Sequence, residues 1–527
     1  MTEMSQIIDD DLKLVLRKLS PTNSIVVLDL ETTGINSNSD QIIEIGAVKL
    51  NTDNLEYSEY SQLINPGVHI SEFITELTGI SQMDIEDKPV LDEISDTFKK
   101  FITDENGNQH LIVAHNAPFD IGFLKKNGFN IGTYVIDTYD LAFFILDKGE
   151  YNLEALVNFF KIDMKIFHRA KDDAKSTLFV LIELIKRQIN LGDQINSIIS
   201  KIEYINDEKI EFAPKKVAQI LANEENLPSN KYKDIVLDGN TEIVKIELKE
   251  INSPNEFFSK KVMGAMYKNF EIRNNQVEMS KVVSDNLSKD KILLVEAAPG
   301  TGKTLAYLVP VVLRLLSNDE KIVIATNTIA LQDQIIEKDW PIIDNYLNSI
   351  GKNKKINIAI FKGRKNYVCK NLINNYKPLN RRETRVLSKV LKWSQYTNTG
   401  DINEIDLKND RYIFESLSSS SDTCINSCKK CFYDKARIKA ENSNVILINH
   451  SLAFATSQTE KNLLKDIDQI IIDEAHELQS VATNSFTLTV RCDVLKNLLI
   501  NIFEKFNLDN LGEDFKLSDE YLKKWED

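Results

Sequence analysis

Two carboxylates two residues apart, Asp29 and Glu31, close the apolar, β-branched run Ile25-Val-Val-Leu28 and precede Thr-Thr-Gly34. On an extended strand, side chains two apart share a face, so both acids point the same way. Two like charges gathered on a buried strand are costly unless a cation joins them. A hard divalent ion such as Mg²⁺ or Mn²⁺ meets that need, because it prefers oxygen ligands and keeps positions for water and phosphate. Taken alone, the pair also suits a capped turn after a core strand. Further along, Leu111-Ile-Val-Ala-His-Asn-Ala-Pro-Phe-Asp120 places Asp120 beyond a second apolar run, and His168 stands five positions before Asp173. Four acids and one histidine are thus available to converge.

A second constellation is Ile292-Leu-Leu-Val-Glu-Ala297-Ala298-Pro299-Gly300-Thr301-Gly302-Lys303-Thr304, followed by the apolar Leu305-Ala-Tyr-Leu-Val-Pro. The pattern predicts a strand, a glycine-containing loop and a helix, the layout of a P-loop. Backbone N–H groups and the helix N-terminus cradle phosphates there, Lys303 reaches the β and γ phosphates of ATP, and Thr304 helps to hold Mg²⁺. A further acidic pair, Asp473-Glu474-Ala-His476, follows the apolar run Ile470-Ile-Ile472. Asp473 is expected to reach Mg²⁺ through water and Glu474 to activate the water that attacks the γ-phosphate.

The elements that must position these groups are bounded by length and composition. At 527 residues the chain exceeds one ordinary core. With 79 acidic against 64 basic residues, its formal charge of −15 is not that of a nucleic-acid coat. Charge is unevenly distributed, however: between Lys352 and Lys392 there are thirteen Lys or Arg against one acid, Glu383. With Tyr367, Tyr376 and Trp393 nearby, this stretch suits either a phosphate backbone with stacked bases or a solvated helix face. No stretch reaches eighteen apolar residues and the first ten are not signal-like, so no membrane contact and a cytoplasmic location are expected. The serine tract from Ser416 to Ser421 reads as a mobile loop. Residues 191–255 read as a connector with some strand content, as in Ile235-Val-Leu.

In order along residues 20–190, Asp-x-Glu-Thr-Thr-Gly, Glu44-Ile-Gly46, His115-Asn-Ala-Pro-Phe-Asp120, Asp137-Thr138 and His168-x4-Asp173 resemble the DEDDh family of 3′-5′ exonucleases. The resemblance implies that Asp29, Glu31, Asp120 and Asp173 hold two Mg²⁺ or Mn²⁺ ions about 4 Å apart, one generating hydroxide and the other stabilising the leaving 3′ oxygen. It makes His168 the general base, a role suited to a side chain titrating near neutral pH. Asp172 is read as a helix-surface charge, and Leu30 and Phe119 as core.

In the second half, Phe270-Glu-Ile-Arg-Asn-Asn-Gln276 resembles the adenine-reading Q motif of a motor, and Thr326-Asn-Thr-Ile-Ala-Leu-Gln-Asp-Gln334 resembles motif Ia, which touches single-stranded DNA. With Asn449-His-Ser-Leu before the acidic box, these residues are similar to the XPD and DinG branch of superfamily 2 helicases. Ala297 replaces the first glycine of the general P-loop, as is usual in helicases. An exonuclease preceding such a motor resembles the DinG proteins of Gram-positive bacteria.

The expected fold is therefore α/β, an RNase H-like exonuclease domain (1–190), the connector, and a P-loop RecA-like domain (256–527) with an inserted cysteine segment at about 365–435 and the start of an arch-like insertion. Cys369 and Cys424-x3-Cys428-x2-Cys431 lie where XPD-like enzymes carry a [4Fe–4S] cluster. Thiolates ligate zinc as well, and free thiols are a third reading, whereas Cys492 reads as a core residue. No second RecA-like domain is evident before Asp527, so ATP binding is expected while turnover and unwinding need another polypeptide. The principal expectation is a metal-dependent exonuclease on single-stranded DNA or RNA. An ATP-dependent helicase with an ancillary nuclease and an ATP-gated nucleic-acid clamp are the alternatives, and oligomeric state is not readable.

Overall fold

The computed structural model describes residues 3–163, 169–203, 210–223, 250–267, 270–287, 289, 291–351, 356–420, 431–457 and 466–487. These form two compact units, one from residues 1–243 and 362–439 and the other from 244–361 and 440–527. The apolar alternation around 235–248, His168, Cys424, Cys428, Cys492 and the part of the arch-like start after residue 487 lie outside the described residues, whereas helix Leu478–Phe486 after the acidic box lies within them.

The first unit is built on a five-stranded sheet in the order β3-β2-β1-β4-β5. Its strands are β1 (Ser24–Thr32), β2 (Ile42–Asn51), β3 (Tyr57–Leu63), β4 (Leu111–Ala114) and β5 (Val135–Asp137). The β1–β2 and β2–β3 pairs are antiparallel, whereas β1–β4 and β4–β5 are parallel. Both faces are covered, which is why β1 and β4 read as nearly continuous apolar runs. Ile25, Val27, Val48, Leu50, Leu111 and Val113 pack toward the long helix Ala170–Asn190. Val26, Leu28, Leu30, Ile45, Ala47 and Ile112 pack on the other face with Phe98 and Phe123, and Phe119 lies against this cluster.

Helices Gly192–Ile199 and Ala213–Ala222 add Ile199, Val217, Ala218 and Leu221 to the first core. So does the segment after residue 362: Val386, Leu387, Val390 and Trp393 from helix Arg381–Trp393 join the same cluster. Residues 416–420 of the serine tract are among the described residues and are held in place. Ser418 and Ser419 are buried, the Ser419 hydroxyl donates to the Arg364 carbonyl at 2.8 Å, and its N–H donates to Tyr367 O at 2.9 Å. A serine run read as mobile is held because its hydroxyls and backbone find partners inside the unit.

The second unit carries a fully parallel sheet in the order β7-β8-β6-β9, from β6 (Ile322–Thr326), β7 (Ile358–Ile360), β8 (Val445–Asn449) and β9 (Gln469–Ile472). Helix Lys303–Ser317 buries Leu308, Val311, Val312 and Leu315 in this unit's core. The strand expected at Ile292–Val295 is not in the sheet. That stretch makes no ladder, and Ile292 and Leu294 are 93% and 86% exposed. Apolar periodicity favours a strand only where a neighbouring strand offers its edge, and none of the described strands pairs here. Among the described residues no helix is long and apolar enough to cross a membrane.

Candidate active site

The parallel strands of the first unit end on one edge, and the acids gather there. Asp29 pairs across the ladder with Gly46, and Glu31 with Glu44, so all four positions lie on the face covered by helix Ala170–Asn190. Gly46 is required by that cover: a Cβ added to it would stand 2.0 Å from the backbone carbon of Ala170 and the nitrogen of Lys171. The close approach sets the first turn of the helix over the strand and brings Asp173 to the two β1 acids. One carboxylate oxygen from each of Asp29, Glu31 and Asp173 lies within 4.8 Å of the others.

Asp120 reaches the cluster from helix Pro118–Lys126, which begins after β4. One of its oxygens accepts the N–H of Leu30, between the two β1 acids, at 3.0 Å. Asp120 is buried and stands close enough to Asp29 to raise its pKa, while Asp137 and Glu31 act on Asp120 in the same direction. Burial pushes the Asp29 and Asp120 carboxyls well above the usual carboxylate range, and for Asp29 the neighbouring Asp120, Asp173 and Glu31 add to the effect. Glu31 is pushed up to about 8, by burial first and then by Asp173 and Glu44, with Arg169 pulling the other way. Hard oxygen donors that repel one another in this manner are what a divalent cation relieves, so the donor set fits Mg²⁺ or Mn²⁺.

Two supporting groups belong to the family pattern quoted from the sequence but were given no role there. Glu44, buried on β2, accepts Arg169 Nε and Nη2 at 3.1 and 3.0 Å and the Ala170 N–H at 3.2 Å. In the sequence it appears only as part of the pattern Glu44-Ile-Gly46, which assigns it no role. Asp137 sits at the end of β5, where one oxygen accepts the N–H groups of Asn116 and Tyr139 at 2.8 and 2.9 Å. His115 lies in the same loop, its Nδ1 2.9 Å from the Thr138 hydroxyl, and burial pushes its pKa down to about 4, so it stays neutral.

In the second unit, Gly300 and Gly302 have φ of +80° and +83°, the left-handed backbone that the loop Ala297–Gly302 turns through before helix Lys303–Ser317. Lys303 Nζ donates to Glu474 Oε1 at 2.9 Å, and that ammonium holds the Glu474 carboxyl below its ordinary range. Asp473 accepts the Tyr307 hydroxyl at 3.0 Å, and burial raises that phenol well above its ordinary range. Gln276 is buried and its amide donates to the Gly302 carbonyl at 2.9 Å, so it braces the loop. Thr304 begins the helix beside Lys303. Of the cysteines, Cys369 is buried at the start of helix Lys370–Asn375, and Cys431 is half-buried.

Fold and acid cluster define the class: an RNase H-like exonuclease domain combined with a helicase-like domain that carries a P-loop. The Exonuclease family model matches residues 26–181, and that of the type III restriction enzyme res subunit matches residues 269–506. The chain is a relative of the 3′-5′ exonuclease DinG of Bacillus subtilis, at 27% identity over 490 residues covering 87% of this chain and 50% of the relative. The DinG exonuclease of Staphylococcus epidermidis is 28% identical over 477 residues, covering 88% and 50%. This chain thus spans about half the length of the curated relatives it matches. Among solved structures, the nuclease domain of 3′hExo, a DEDDh family member bound to rAMP, is 19% identical, covers 32% of this chain and 93% of its own, and has a TM-score of 0.28. An exonuclease domain of this kind implies divalent metal ions.

Proposed function

We propose that the chain is a metal-dependent 3′-5′ exonuclease acting on single-stranded DNA or RNA ends, linked to an ATP-binding helicase-like module. The observation that carries this reading is the meeting of Asp29, Glu31 and Asp173 oxygens within 4.8 Å, with Asp120 beside them. These four acids are the proposed ligands of two Mg²⁺ or Mn²⁺ ions. When bound, the ions supply a nucleophilic hydroxide and stabilise charge on the leaving 3′ oxygen. Asp120 is held by the Leu30 N–H, and Asp173 by the seating of its helix on Gly46, so the ligands are set before the ions arrive. His168, one residue before Arg169, is assigned as general base for the attacking water.

Nuclease chemistry belongs to residues 1–190, with 191–255 as connector and ATP binding in 256–527. ATP with Mg²⁺ is assigned to Gln276, Ala297, Ala298, Pro299, Gly300, Thr301, Gly302, Lys303, Thr304 and Asp473, with Glu474 as base. Cys369, Cys424, Cys428 and Cys431 are assigned to a [4Fe–4S] cluster in preference to zinc, which iron and sulfide analysis tests. A cytoplasmic location is part of the same proposal.

The deciding experiment is Asp29→Ala with Glu31→Ala, assayed on a 5′-labelled single-stranded oligonucleotide with Mn²⁺. Shortening from the 3′ end should vanish while ATP binding persists. Unchanged degradation would reject the site.

A further inference from the structure

We propose that Arg381, in the segment after residue 362, is a positioning residue of the exonuclease site, acting through Asp137 on the loop that sets Asp120. The inference rests on the exonuclease reading above. Arg381 is buried, and its Nη2 donates to Asp137 Oδ2 at 2.9 Å while its Nε donates to Asp140 Oδ2 at 2.9 Å. The second oxygen of Asp137 accepts the N–H of Asn116, which holds a left-handed φ of +64° just before helix Pro118–Lys126. Such a conformation in a residue other than glycine persists where its surroundings fix it. That helix carries Asp120, and Asp120 accepts the N–H of Leu30 between Asp29 and Glu31. The contacts therefore run without a gap from the guanidinium to the β1 acids.

Position along the helix separates this role from simple docking. Helix Arg381–Trp393 runs beside helix Thr138–Ile145, matching start to start and end to end. At the far end Lys392 Nζ donates to the Ile145 carbonyl and to Asp147 Oδ1, both at 2.8 Å. Between them Lys389 Nζ donates to the Tyr151 hydroxyl at 2.6 Å and to the Asp406 carbonyl at 2.8 Å. Those contacts fasten the same two helices but lead away from Asn116 and Asp120. A buried carboxylate needs its cation, so Asp137 and Asp140 make the nuclease depend on a segment more than two hundred residues away in sequence.

The test compares two pairs of changes in the full chain, Arg381→Met with Asp140→Asn, and Lys392→Met with Asp147→Asn. The readouts are kcat and KM on a single-stranded oligonucleotide, melting temperature, and the rise in melting temperature on adding Mn²⁺ alone. The first pair should lower kcat about 10- to 100-fold with KM within about twofold, and should shrink the Mn²⁺-induced rise. The second should cost comparable thermal stability yet leave kcat within about twofold. Should the first pair fail to fold, Arg381→Lys retains the charge without the fork and should lower kcat well below that of the Lys392 pair at no greater loss of melting temperature. Wild-type kcat and Mn²⁺ response in the Arg381 variants, or an equal loss of kcat in the Lys392 pair, would overturn the proposal. A wild-type chain that leaves 3′ ends intact would instead remove the exonuclease reading on which it stands.

Discussion

Glu31 and Glu44 face each other across the β1–β2 ladder, two acids in directly opposed positions, and Arg169 closes on Glu44 from the start of helix Ala170–Asn190. Like charges directly opposite on a sheet repel. The arrangement is tolerable because the guanidinium takes up Glu44 and leaves Glu31 toward the cluster. Glu44→Gln should therefore release Arg169 and loosen the turn that leads into Asp173. We expect kcat to fall about 10- to 100-fold, as for other groups that orient metal ligands. Removing this charge also removes one cause of the raised Glu31 pKa, so the pH at which Mn²⁺ binding reaches half its maximum should move down. A titration of Mn²⁺-induced melting shifts between pH 5 and 9 checks the direction, and an upward move would contradict it.

The raised acids make a second prediction, in stability. Glu31 sits at about 8 in the folded chain against an ordinary value of 4.5, and Asp29 is displaced the same way. The folded state then holds more protons than the unfolded chain between those values, so stability falls as pH rises through that window. For Glu31 alone, stability is greatest below about pH 4.5 and the loss is complete above about 8, and Asp29 acts in the same direction. Bound cations reverse the sign by favouring the ionised acids. In EDTA the first melting transition should drop between pH 5.5 and 8.5, and Mn²⁺ should raise it more at pH 8.5 than at 5.5. Glu31→Gln should flatten the EDTA profile while abolishing the nuclease. An EDTA profile as steep as that of the unaltered chain would remove Glu31 as the cause.

Gly46→Ala tests the seat of the helix directly. The added Cβ would meet backbone atoms of Ala170 and Lys171 at 2.0 Å, and backbone cannot turn aside as a side chain does. Overpacking of this sort costs about 1–3 kcal/mol, and here the strain falls three residues before Asp173. We expect a melting temperature lower by several degrees and little remaining nuclease, with ATP binding unchanged. Full activity at a normal melting temperature would show that Asp173 does not depend on this contact.

That Asp29 and Glu31 share a face was readable from strand alternation, whereas Asp173 joined them through the family pattern, and the structure brings one oxygen of each within 4.8 Å of the others. The role of the basic stretch was not readable. Arg381, Arg385, Lys389 and Lys392 belong to the excess of positive charge read as suited to phosphate, yet they meet Asp137, Asp140, Tyr151 and Asp147 inside the first unit. Nothing in a charge count reveals partners so distant in sequence, and a buried cation and a solvated one look alike until the fold is known. Leu30 shows the complementary case. Its side chain was placed in the core by alternation, whereas the use of its N–H to fix Asp120 depends on how β4 and the following helix return to β1.

Lys303 and Glu474 yield the last prediction. Their ion pair joins the residue assigned to the nucleotide's phosphates to the residue assigned to the attacking water, 2.9 Å apart and about 30% exposed on each side, as 31% and 29%. Nucleotide phosphates must draw the ammonium away from that carboxylate, which costs the worth of a partly exposed ion pair, about 0.2–1 kcal/mol. Glu474→Gln removes this competitor while leaving Lys303 in place. ATP should then bind up to about fivefold more tightly, with the gain shrinking as ionic strength rises. Lys303→Ala should instead abolish binding, since no other side chain is assigned to the terminal phosphates. A fluorescent ATP analogue titrated at low and high salt measures both variants, and weaker binding by Glu474→Gln would mean that Glu474 supports the bound nucleotide rather than competing for the lysine.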